Sequence, residues 1–107
     1  KILMRAGETD KAEVVILPEY TKIAKEISSK LGHIGNLDVD FIKTDSGQIF
    51  FIDFNPRFGG GYPFSHSAGC NYLKAIVDMK IGKELTLPDK PKVIVGMKGI
   101  NINFYEK

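Results

Sequence analysis

Leu37-Asp38-Val39-Asp40-Phe41-Ile42-Lys43-Thr44-Asp45-Ser46-Gly47-Gln48-Ile49-Phe50-Phe51-Ile52-Asp53-Phe54 reads as one β-hairpin. Residues 37–42 alternate apolar and polar with period two, as a half-buried strand does. Thr44-Asp45-Ser46-Gly47 carries the turn chemistry, and residues 48–54 form the returning strand. Phe50, Phe51 and Ile52 in succession predict that this second strand is covered on both faces.

Upstream, residues 2–6 and 13–17 read as two short strands, with the polar Gly7-Glu8-Thr9-Asp10-Lys11 as the turn between them. Pro18 suits a first helical position, because its missing N–H and fixed φ cost nothing there. Ile23, Ala24, Ile27 and Leu31 recur at helical spacing, and Gly32 fits the helix end. Downstream, a polar, glycine-rich loop runs from Asn55 to about Ser67, which resembles an N-cap. A second helix is expected over 68–80, with Leu73, Ile76, Val77 and Met79 toward the core. Residues 93–95 and 100–104 read as strands. Hairpins dominate this order, so the expected class is α+β: a mainly antiparallel sheet with two helices packed on it.

The chain has 107 residues, room for one ordinary domain or part of a larger one. It is 43% hydrophobic and 26% charged, which excludes a disordered tail or a low-complexity linker. A net charge of +2 gives no argument for a nucleic-acid partner. No apolar run approaches the roughly 18 residues that span a bilayer, so no membrane role is expected. Cys70 is the single cysteine, so an internal disulfide is excluded, and a small core residue is the expected role.

The chemistry concentrates where the returning strand ends. Asp53 and Asn55 are two apart, so their side chains leave one face. Asp53 stands between Ile52 and Phe54, where a carboxylate needs a cation, a donor or water. Hard cations such as Mg²⁺ take oxygen ligands, and Asp53, Asn55 and an Asp of the neighbouring strand supply that set. Arg57 just beyond can hold a phosphate or carboxylate through its forked donors. The same residues also make an ordinary strand-end turn. Register separates the two readings. Asp38 opposite Asp53 requires 40 opposite 51 and 42 opposite 49, with Asp45-Ser46 as a two-residue loop. A slip of one residue turns Asp38 to the other face unless a bulge restores it.

Phe51-Ile52-Asp53-Phe54-Asn55-Pro56-Arg57 resembles the signature of the ATP-grasp superfamily, acid-x-Asn-x-Arg at a strand end, with Asp where many members carry Glu. The following Phe58-Gly59-Gly60-Gly61-Tyr62-Pro63-Phe64-Ser65-His66-Ser67-Ala68-Gly69 is similar to members related to the carbamoyl-phosphate synthase large chain, as is Arg5-Ala6-Gly7-Glu8-Thr9-Asp10-Lys11-Ala12 upstream. The resemblance covers most of residues 3–82. It implies a ligase that forms an acyl phosphate from a carboxylate or bicarbonate and ATP, then passes it to an amine or ammonia. By position it implies Asp53 and Asn55 as ligands of Mg²⁺ (or Mn²⁺) bridging the ATP phosphates. Arg57 is the implied catalytic residue at the transferred phosphoryl group. Asp38 is the first choice for the metal ligand from the preceding strand, with Asp40 in reserve.

Arg5 either reaches the nucleotide or is a solvated turn charge. His66 either holds the acyl acceptor or a phosphate, or lies on the surface. The resemblance further implies that residues 1–107 are the C-terminal portion of an ATP-grasp domain, a reading that fits the start at Lys1 without Met. The expected partners are then ATP, a small carboxylate or amine substrate and an N-terminal half carrying the phosphate-covering loop, with a homodimer left open. Alone, such a half-site is expected to bind weakly and turn nothing over. A non-catalytic nucleotide- or metal-binding accessory module is the alternative. ATP use and the lack of an export signal make the expected location cytoplasmic.

Overall fold

The computed structural model describes residues 1–87 and 90–99. The expected strand over 100–104 lies outside them. The elements are β1 (Leu3–Arg5), β2 (Glu8–Val14), α1 (Pro18–Leu31), β3 (Asp38–Lys43), β4 (Ile49–Asn55), α2 (Tyr62–Ser67), α3 (Tyr72–Lys80) and β5 (Ile94–Met97). The class is α+β. Instead of one sheet with two helices, the described residues form two small antiparallel sheets, ordered β1-β2-β5 and β3-β4, and three helices.

The first hairpin is tighter than its sequence suggests. Ala6 and Gly7 alone make the turn, both at positive φ (48° and 81°), and β2 begins at Glu8. The polar stretch expected to be the turn is therefore strand, while Val15, Ile16 and Leu17 lie beyond it and stay exposed. Thr9 and Asp10 are buried because α2 packs on β2. The buried apolar core is small: Ala12, Phe64, Ala68 and Cys70. Phe64 of α2 sets the Cδ1–Cε1 edge of its ring against Gly96 of β5, where a Cβ would meet it at 2.7 Å. Gly96 pairs with Ala12 of β2, so α2 covers the middle of this sheet.

Helix α1 follows its sequence pattern, from Pro18 to a left-handed Gly32 whose N–H donates to the Ser28 carbonyl. Tyr20, Ile23, Ala24 and Ile27 face Leu37, Val39, Phe41 and Phe51 across a cleft of about 260 Å³. The Tyr20 and Phe41 rings meet edge to face at 5.1 Å, and the Glu19 carboxylate accepts from Lys43 Nζ at 2.9 Å. That bond raises the Lys43 pKa. Leu31, at the end of the stripe, is exposed.

The loop after β4 holds the short helix α2, with Pro63 in its first turn. Ser67 does not cap the next helix; its hydroxyl donates back to the Pro63 carbonyl. Gly69, at φ 102°, breaks the chain, and Asn71 caps α3 by accepting from the Lys74 N–H at 3.0 Å. Leu73, Val77 and Met79 are exposed, contrary to the expected core face, and the buried residue of α3 is Asp78, paired with Lys74. Cys70 is buried, as expected of a small core residue.

Tyr72 lies against that cysteine. Its phenol is pushed up to about 12, by burial first and then by a side-chain hydrogen bond with Cys70. An unfolded tyrosine loses its proton near pH 10. The stability this contributes is complete below about pH 10 and is lost as pH rises toward about 12, because the unfolded chain then holds fewer protons than the folded one. Urea midpoints measured across that window should fall for the wild type and fall less for Tyr72→Phe.

Candidate functional site

The hairpin turn and one extra residue together decide which side chains meet. Thr44 N–H donates to the Gln48 carbonyl and Gly47 N–H to the Thr44 carbonyl, with Gly47 at φ 85°. The loop is therefore three residues rather than two, and Lys43 lies opposite Ile49, Ile42 opposite Phe50 and Phe41 opposite Phe51. Continued unchanged, this register would turn Asp38 away from Asp53. A bulge intervenes between Asp40 and Phe41, with Ile52 as the extra residue, and beyond it Asp40 lies opposite Asp53, Val39 opposite Phe54 and Asp38 opposite Asn55.

The expected register is thus corrected, yet the face is kept. Asp38, Asp40, Asp53 and Asn55 all leave the hairpin on the side away from α1. Val39, Phe41, Phe51 and Phe54 occupy the other side, the three phenylalanine rings packed in series. No described residue covers the acidic face: Phe50 and Ile52 are 56% and 63% exposed, contrary to the two-sided cover expected of β4.

Directly opposed residues of an antiparallel pair have Cβ atoms about 4.5–5.5 Å apart, whereas diagonal neighbours are about 7–8 Å apart. Asp40 is the direct partner of Asp53, and Asp38 is its diagonal neighbour. Asp53 Oδ1 accepts from the Phe54 N–H at 2.9 Å, and Oδ2 accepts from the Asn55 side-chain amide at 2.7 Å. Lys1 Nζ reaches Asp40 Oδ1 at 2.6 Å. Asp38 has a different neighbourhood. Its Oδ2 is 3.9 Å from Arg57 Nη1, and its carboxylate lies against Gly59 so closely that a Cβ there would overlap it.

Arg57 is exposed. Its Nη1 donates to the Phe58 carbonyl at 3.0 Å, and its own carbonyl accepts from the Asn36 amide at 2.8 Å. Arg5 lies apart from this group: it donates to Asp10 Oδ2 at 3.1 Å and makes no contact with Asp53, Asn55 or Arg57 among the described residues. Asp10, its buried partner, escaped the sequence reading because it lay in a stretch taken for a turn. His66 Nδ1 and the Tyr62 hydroxyl share a hydrogen bond of 3.0 Å on the surface of α2.

The donor set suits a hard cation in kind: carboxylate and amide oxygens on one strand face, beside an arginine for phosphate. Among the described residues, no three acid, histidine or cysteine side chains are drawn together as a closed metal cluster. Asp40, Asp53 and Asn55 instead form an open edge, fit for a cation that takes its remaining oxygens from a phosphate. No helix among the described residues is long and apolar enough to cross a membrane. No protein-family model and no curated protein matches the chain.

Proposed function

We propose that this chain supplies the cation- and phosphate-binding half of an ATP-grasp ligase site, as its resemblance to that superfamily implies. The observation that carries the reading is the direct pairing of Asp40 with Asp53, beside Asn55 and short of Arg57, on one open strand face. In this reading Asp40 replaces Asp38 as the ligand from β3. Asp40, Asp53 and Asn55 are the residues that would hold Mg²⁺ or Mn²⁺ beside the phosphates of ATP. When bound there, the cation would supply charge neutralisation at the transferred phosphoryl group. Arg57 would hold the γ-phosphoryl group while a substrate carboxylate attacks its phosphorus and ADP leaves, and an amine or ammonia would then attack the acyl carbon and release phosphate. Positioning and electrostatics carry most of such catalysis, so no general base is needed among these residues.

The chain's surface supports a shared site. Its radius of gyration is 16.1 Å, against about 13 Å for a compact domain near this length. Ile42, Phe50, Ile52, Val95 and Met97 are all exposed, as expected of sheets covered by a further ATP-grasp subdomain. The nucleotide would be gripped from both sides there, so the chain alone binds weakly and has no ligase turnover.

Calorimetric titration of the 107-residue chain with ATP, ADP and AMP, each with and without Mn²⁺, tests the reading. ATP and ADP should bind only with the cation, at submillimolar to millimolar Kd, and AMP should not bind. Equal binding of all three, or binding indifferent to Mn²⁺, would contradict it.

A further inference from the structure

Two polar side chains flank Arg57, one at its backbone and one at its guanidinium. Asn36, just before β3, donates its amide to the Arg57 carbonyl at 2.8 Å, fixing the backbone. Asp38, two residues on and the first of β3, places Oδ2 at 3.9 Å from Arg57 Nη1, an ion pair longer than a hydrogen bond. The same carboxylate fills the space over Gly59, so the first glycine of the Gly59-Gly60-Gly61 run is the residue that lets the loop close over it. Its φ is not positive; the requirement there is for space. Arg57 has six heavy side-chain atoms beyond Cβ and would otherwise sample many rotamers from an exposed position, at an entropic cost to any phosphate it bound.

We propose that Asp38 and Asn36 are positioning residues that preorganise Arg57 and the glycine loop for a phosphate group, and that Asp38 is not a cation ligand. The phosphate ligand rests on the function proposed above; the clamp itself does not. Asp38 faces the guanidinium and the loop, and its diagonal relation to Asp53 leaves the direct cross-strand position to Asp40. Preorganisation of this kind raises affinity by removing the cost of ordering the side chain at binding.

Side-chain ¹⁵N relaxation of the Arg57 Nε–H group decides the clamp without any ligand. The wild-type signal should be ordered, and it should become motionally averaged in Asp38→Asn and in Asn36→Ala. In parallel, Asp38→Asn should change the Kd for Mn²⁺ alone by no more than about sevenfold, the effect in water of one unit charge on a divalent ion about 7 Å away. With Mn²⁺ and ATP, Asp38→Asn and Arg57→Ala should each weaken nucleotide binding by about tenfold, and the double variant by little more. An Arg57 side chain as mobile in the wild type as in Asp38→Asn overturns the proposal. So does a loss of Mn²⁺ affinity in Asp38→Asn equal to that in Asp53→Asn, or additive losses in the double variant. If the chain binds no ATP, the proposed function fails while the relaxation data still decide the clamp.

Discussion

Asp53→Asn should lower the affinity of the chain for Mn²⁺ by about two orders of magnitude and abolish measurable cation-dependent ATP binding. Losing even an outer-shell partner costs about 10–100-fold in metal affinity, and losing a charged ligand belongs at or above the top of that range. The fold should not suffer. Asp53 is exposed, and its bonds to the Phe54 N–H and the Asn55 amide survive in an asparagine once the Asn55 amide turns over. Exposed substitutions of this sort stay within about ±0.5 kcal/mol. Asp40→Asn should behave alike in cation binding, with an added loss of the Lys1 pair. Calorimetry of the variants beside urea unfolding separates the two effects. Unfolding at a much lower urea midpoint would assign Asp53 a structural role instead.

Phe64→Ala should cost about 3–5 kcal/mol, as deletion of a buried aromatic ring does. Domains of ordinary size are stable by about 5–15 kcal/mol, and this one has little else inside. Phe64 is 8% exposed, and the other buried apolar residues among those described are Ala12, Ala68 and Cys70, all small. Removing the ring leaves α2 without its anchor on Gly96 and uncovers Thr9 and Asp10 beneath it. The chain should then be largely unfolded at room temperature, by circular dichroism and by loss of amide protection in β2 and β5. Phe64→Leu keeps most of the volume and should cost less than about 1.5 kcal/mol. A Phe64→Ala protein that unfolds at the wild-type urea midpoint would show that the three-stranded sheet draws its stability from another face.

The residues that announce themselves locally are the ones that could be read from sequence. Pro18 and Gly32 bracket α1, and the turn at Thr44-Asp45-Ser46-Gly47 joins β3 to β4. Strand β2 was hidden because Glu8-Thr9-Asp10-Lys11 has the composition of a turn. Its burial comes from α2, a tertiary contact that no strand propensity encodes. Ala6 at positive φ is equally silent, since alanine carries no turn signal. Helix α2 was missed because proline, serine and histidine read as loop, although Pro63 at the first turn and buried Phe64 account for it. At the site, period-two alternation put both aspartates of β3 on one common face, and the register decides whether that is the face of Asp53 and Asn55. Alternation could not choose between the two aspartates, because that choice depends on the three-residue loop and on the bulge at Ile52. Each shifts the pairing by one residue, and together they bring Asp40 rather than Asp38 opposite Asp53.

Paramagnetic broadening of the backbone amides by substoichiometric Mn²⁺ tests that pairing most directly. The predicted pattern is loss of signal centred on Asp40, Asp53 and Asn55, with a weaker effect at Asp38. The amides of Asp10, Asp45 and Asp78, acids that lie elsewhere on the chain, should keep their intensity. Broadening centred on any of those three, or spread evenly over the acidic residues, would contradict the assignment of the cation to the β3–β4 face.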